Sequence, residues 1–96
     1  MPLKVIASPT FARTAKKLHA AGKKALDQAV KDVSGDPTLG EEKRGDLSGV
    51  FVYKFKLNKQ ETLLAYELSP NKLTPAEVVL LGVGPHENFY LQLKHK

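Results

Sequence analysis

The chain has no cysteine and no tryptophan, one methionine, and only two arginines among its fifteen basic residues. Without cysteine there is neither a disulfide framework nor a thiolate metal site. No apolar run approaches the roughly 20 residues that span a bilayer. The opening MPLKVIASPTFART lacks the apolar stretch of a secretory leader. These absences predict a cytoplasmic protein with no membrane partner. Cofactor chemistry lacks a motif as well. GVG at residues 82–84 has neither the lysine nor the following helix of a phosphate loop. No histidine pair stands at helical spacing, and Glu41-Glu42 reads as a solvated loop pair, so no metal and no cofactor are expected.

What is present is 96 residues, enough for one domain spanning 1–96, with a modest core. Fifteen basic residues against ten acidic ones give a formal charge of +5. Thirteen of the fifteen are lysines, the exceptions being Arg13 and Arg44. Such an excess favours polyanions or an acidic protein by long-range attraction, without choosing between them.

LKVIA (3–7) is a short apolar run ending at Ser8-Pro9, a helix-start pair in which the hydroxyl caps and proline lacks the orphaned N–H. Phe11, Ala15 and Leu18 then recur at helical spacing, as do Leu26, Ala29, Val30 and Val33. Gly22 between them predicts a helical hairpin, with AAGKK read as the stop of the first helix. SGDPTLGEEKRGD (34–46) reads as a loop carrying Lys43 and Arg44.

The second half reads as strands. In VFVYKFKL (50–57), Phe51, Tyr53, Phe55 and Leu57 form one wholly apolar face. The alternate face begins with Val50 and Val52 and ends with Lys54 and Lys56, so it becomes solvated along its length. TLLAYEL (62–68) is the returning strand. AEVVLLGVG (76–84) is apolar enough to be a central strand covered on both sides. Phe89 and Leu93 allow a short terminal helix. The expected architecture is α+β: an N-terminal strand, a helical hairpin, then a three-stranded antiparallel meander, forming a four-stranded sheet with a short C-terminal helix.

Candidate chemistry gathers on the late strands. Strand geometry sets Lys54 and Lys56 on one face about 6.5–7 Å apart, where they repel unless an anion lies between them. Two lysines on an exposed edge also discourage aggregation, an equally simple role. His86 follows the tight exit GVGP, where an imidazole can both give and take a proton near neutral pH. Tyr90 stands one helical turn later, either stacking on an exposed base or packing the terminal helix.

The order of elements, the YKFKL strand and the VGPHENFY ending together resemble the RelE/ParE superfamily of bacterial type II toxin–antitoxin toxins, over almost the whole chain. The resemblance to RelE-like members implies an endoribonuclease that cuts messenger RNA, commonly on the ribosome. It also implies a cognate antitoxin as protein partner. By position it makes Lys54, Lys56, His86 and Tyr90 the catalytic group; the further cations Lys43, Arg44 and Lys59 are candidate RNA contacts. RelE-like enzymes often carry an arginine on the return strand, where this chain has Thr62, Leu63 and Leu64. ParE-like members of the same fold instead inhibit DNA gyrase, and a non-catalytic binding role is a third expectation.

Overall fold

The structure, a computed structural model, describes residues 3–71 and 73–85. The expected C-terminal helix lies outside the described residues. The elements run β1 (Lys4–Ala7), α1 (Pro9–Lys16), α2 (Ala20–Gly35), a 3₁₀ turn (Pro37–Leu39), β2 (Glu41–Glu42), a second 3₁₀ turn (Gly45–Leu47), β3 (Val50–Leu57), β4 (Gln60–Ser69) and β5 (Glu77–Pro85).

The first helix begins where the Ser8-Pro9 pair predicts. The Phe11 amide donates to Ser8 Oγ (3.2 Å), which satisfies one of the orphaned first-turn N–H groups, and Pro9 follows the cap. The cap is also tied to the sheet, because the Ser8 amide donates to the Leu80 carbonyl (3.0 Å). Two helices form as expected, but the break falls at Lys17–His19 rather than at Gly22. Gly22 lies buried in the first turn of α2, and a Cβ there would meet Leu57 and Leu18 side chains at ordinary contact distance. The chain turns because the Lys17 and Leu18 amides close a tightened last turn onto Thr14 and Ala15.

Five strands form one sheet in the order β1-β5-β4-β3-β2. β1 runs parallel to β5, whereas β5, β4, β3 and β2 are successively antiparallel. The four expected strands are therefore joined by a fifth. Two residues of the expected 34–46 loop, Glu41 and Glu42, pair with Val52 and Phe51. A two-residue strand leaves no alternation to detect in the sequence. β5 is an interior strand between β1 and β4, in keeping with its apolar run, though β4 holds the middle of the sheet; β5 carries a bulge where its register against β4 shifts between Ala65 and Tyr66.

Both helices lie on one face of the sheet. There Phe11, Leu26, Ala29 and Val33 pack against Phe51, Leu64, Tyr66, Val78 and Leu80. The Phe51 and Tyr66 rings stack with centroids 5.5 Å apart. On the other face Val50, Val52, Leu63, Ala65 and Leu81 form a smaller apolar cluster, with Leu47 against it. Because β4 is packed on both sides, Leu63, Leu64, Ala65 and Tyr66 are all fully buried. Among the described residues no helix is long and apolar enough to cross a membrane.

Candidate active site

β3 has a different fate on each side. Tyr53, Phe55 and Leu57 point to the helices, so alternation sends Lys54 and Lys56 to the opposite face with Val50 and Val52. Both lysines are exposed. β2 pairs only with Phe51 and Val52, so the outer edge of β3 from Tyr53 onward has no strand partner among the described residues. In the β3–β4 ladder Lys54 lies across from Leu63, and Lys56 across from Glu61. The two ammonium groups thus stand beside a floor of buried Leu63 and Val52 rather than in a charged cleft.

The end of β5 reaches the same end of the sheet. Gly84 pairs with Leu63 and Pro85 with Thr62, which are themselves paired with Lys54 and Phe55. Pro85 is therefore two strand spacings from Phe55, about 9.5 Å. His86 and Tyr90 lie outside the described residues.

Lys59 is exposed at the tip of the β3–β4 hairpin, in a two-residue loop with Asn58. Both loop residues have positive φ, 52° and 69°, the pattern of a type I′ turn. This turn brings Lys59 to the Lys54–Lys56 end of β3. Lys43 and Arg44 sit at the other end. The Lys43 amide donates to the Val50 carbonyl (2.8 Å), and its ammonium lies 3.1 Å from Glu41 Oε1. Four residues separate Val50 from Lys54, about 13 Å along the strand. The five candidates among the described residues thus form no single cluster: Lys54, Lys56 and Lys59 share one end, and Lys43 with Arg44 occupies the other.

Glu61 was absent from the sequence reading and is the neighbour nearest in register to Lys56. Counting back from a two-residue turn at Asn58-Lys59 pairs Leu57 with Gln60 and hence Lys56 with Glu61, so the turn carried that information. Thr62, the one polar residue of the Thr62, Leu63 and Leu64 stretch, is buried and donates its hydroxyl to the Gln60 carbonyl (3.1 Å). It offers no substitute charge.

Two tyrosines on the helix side anchor the frame. Tyr53 donates to Asp32 Oδ2 (3.2 Å); burial and the Asp32 charge both raise its pKa. Tyr66 donates to the Pro37 carbonyl (2.6 Å) and accepts from the Gly40 amide (3.0 Å). Burial is the main cause of its pKa being pushed up to about 12. A side chain at Gly40 would collide with the Tyr66 hydroxyl, so glycine is required there. This lock fixes the segment that leads into β2 and the Lys43–Arg44 loop.

A family model described as the ParE-like toxin of type II bacterial toxin–antitoxin systems matches residues 5–94. Among solved structures, the chain is similar to the toxin–antitoxin complex RelBE2 of Mycobacterium tuberculosis, with 25% identity and a TM-score of 0.73 over 90% of this chain and 100% of that one. It is also similar to a variant of the Escherichia coli toxin RelE in the free state, with 19% identity and a TM-score of 0.71 over 98% and 94% of the two chains. The YoeB dimer of Staphylococcus aureus shares 17% identity and a TM-score of 0.65, over 90% and 99%. The latter two likenesses are of fold. No curated protein sequence matches significantly. With an α+β fold shared with these toxins and a family match that runs from the first strand to residue 94, this chain belongs to the ParE-like toxins of type II bacterial toxin–antitoxin systems.

Proposed function

We propose that this toxin is an endoribonuclease that cleaves messenger RNA, on the ribosome, by directing the attack of the RNA's own 2′-hydroxyl on the adjacent phosphorus. The observation that carries the reading is the placement of Lys54 and Lys56 on the exposed half of β3, at the same end of the sheet as the end of β5, two strands away, from which the chain continues to His86. In-line attack needs a base for the hydroxyl, positive charge on the developing phosphorane and an acid for the departing 5′-oxygen. Lys54 and Lys56 supply the charge, one of the two also taking the proton of the attacking 2′-hydroxyl; His86 gives a proton to the departing 5′-oxygen, and Tyr90 offers a stacking surface for a nucleobase. Lys59 extends the phosphate track past the hairpin tip, while Lys43 and Arg44 meet RNA farther along. The products are a 2′,3′-cyclic phosphate and a 5′-hydroxyl.

A second reading has its own support. The matching family is described as ParE-like, and the resemblance attaches gyrase inhibition to that branch. A protein-binding toxin, however, has no need of a proton donor. The test is to add purified protein to a translation extract and, in parallel, to a gyrase supercoiling reaction. Cleaved messenger with cyclic-phosphate ends, lost in Lys54→Ala and His86→Ala, supports the nuclease. Intact messenger with blocked supercoiling overturns it.

A further inference from the structure

Two polar cavities adjoin at the loop between β2 and β3, at the end of the sheet away from Lys54 and Lys56. One, of about 360 Å³, is lined by Lys43 and Arg44 with Gly45 and Ser48. The other, of about 370 Å³, reaches the end of β4 and is lined by Phe51, Glu67, Leu68 and Asn71. Glu42 and Ser48 border both. Each cavity has the size of a small-molecule site. The Lys43 amide bonds to Val50, so alternation sets the Lys43 side chain on the face that carries Lys54 and Lys56. An RNA strand that leaves those lysines along β3 therefore meets the cationic cavity first. The separation of about 13 Å along the strand is too great for the nucleotide being cut to enter it.

The second cavity offers acceptors and a donor beside an apolar wall. The Leu73 and Thr74 amides both donate to Asn71 Oδ1 (2.9 Å each), so the NH₂ group of Asn71 is what remains for a ligand. Glu67 is exposed and makes no ion pair or side-chain hydrogen bond among the described residues. Its carboxylate can only accept. Phe51 and Leu68 supply the apolar wall. One nucleobase edge matches this set. Guanine presents N1–H and N2–H₂ side by side, with O6 as an acceptor next to them. Adenine and cytosine place an unprotonated ring nitrogen beside the amino group, and uracil has one N–H between two carbonyls. Each of those turns a lone pair toward the carboxylate. The cations next door suit the phosphate of the same nucleotide.

We propose that these adjoining cavities hold one guanine nucleotide, its base at Glu67 and Asn71 and its phosphate at Lys43 and Arg44, and so select guanine in the RNA at a position away from the scissile bond. The proposal rests on the nuclease reading for RNA as substrate, but titration with mononucleotides needs no cleavage, so the two can fail separately. The test follows amide chemical shifts of the whole ¹⁵N-labelled toxin as guanosine monophosphate is added. The amides of Gly45, Ser48, Gly49 and Asn71 should move. Affinity should exceed that for the adenine, cytosine and uracil monophosphates at least about fivefold, the low end of what one bidentate base contact discriminates. Glu67→Gln, an exposed change that keeps the side chain's shape, should erase the preference. Asn71→Asp keeps the acceptor for the Leu73 and Thr74 amides and should erase it too. Arg44→Ala should weaken binding of the monophosphate and leave that of phosphate-free guanosine unchanged. Equal affinity for the four nucleotides, or a preference that survives Glu67→Gln, overturns the proposal. So does an equal response to inorganic phosphate, which leaves only an anion site. Binding of argininamide in place of the nucleotide also overturns it, and assigns Glu67 to a basic side chain of a protein partner. Messenger left intact by a toxin that still prefers guanine overturns the nuclease reading alone.

Discussion

The two faces of β3 are built by one alternating sequence and end in opposite conditions. Toward the helices, Phe51, Tyr53, Phe55 and Leu57 all pack against other elements, with the Tyr53 and Phe55 rings stacked 6.4 Å apart. Away from the helices, Val50 and Val52 are buried while Lys54 and Lys56 are exposed. A strand with one committed face is fixed in register, because a one-residue slip would send every aromatic to water and both lysines into the core. The stable face therefore positions the exposed one. That division lets a 96-residue chain keep charged groups in place without burying them.

Cutting each face separately tests this division. Leu64→Ala, on the helix side of fully buried β4, should cost about 2–5 kcal/mol. Thermal unfolding should show this as a drop of at least about 8 °C. Lys54→Ala should leave stability within about 0.5 kcal/mol while abolishing messenger cleavage. If Lys54→Ala lowers the melting temperature as much as Leu64→Ala, the exposed end of β3 is a structural surface and the division of labour fails.

A smaller effect tests how far the helix side reaches. Tyr66→Phe removes the donor to Pro37 and the acceptor from Gly40, leaving two backbone groups without their partner at a cost of about 1–3 kcal/mol. The cost should depend on pH with a defined sign. The folded-state pKa lies near 12, above the ordinary value of 10.0, so the stabilisation is complete below pH 10 and is lost as pH rises toward 12. Denaturant titrations of the two proteins should show their stability gap narrowing across that window. A constant gap would mean that Tyr66 ionises equally in folded and unfolded chains.

These contrasts also separate what the sequence reveals from what it hides. Period-2 alternation in VFVYKFKL places both lysines on the solvated face because half-burial itself writes that pattern. Ser8-Pro9 marks the start of α1 because its capping chemistry is local. Gly22 misleads for the converse reason. Glycine is compatible with a helical first turn as well as with a stop, and only the packing of Leu57 and Leu18 around it decides. β2 is invisible because it is held by its pairing with β3 and by the Tyr66–Gly40 lock, the latter joining residues 26 apart. At the candidate site the lysines are legible singly. The separation of Lys43 and Arg44 from Lys54 follows only from where the loop meets Val50.

The smallest expected effect sharpens the comparison at the hairpin tip. Lys59 occupies a left-handed conformation, φ 69°, that a side chain bearing a Cβ adopts at a cost of about 1–2 kcal/mol. Asn58 tolerates the same region through its short polar side chain, and Asn-Gly is the preferred pair for this turn. Lys59→Gly relieves the strain but loosens the unfolded chain, so the net gain should be about 0.5–1 kcal/mol. If the tip belongs to the RNA-contacting surface, the stabilised variant should bind single-stranded RNA more weakly, with a shallower salt dependence by about one phosphate contact. Greater stability together with weaker binding would show strain kept at the tip for the sake of its charge. Greater stability with unchanged binding would confine the reactive surface to Lys54 and Lys56, where the alternation of β3 alone accounts for it.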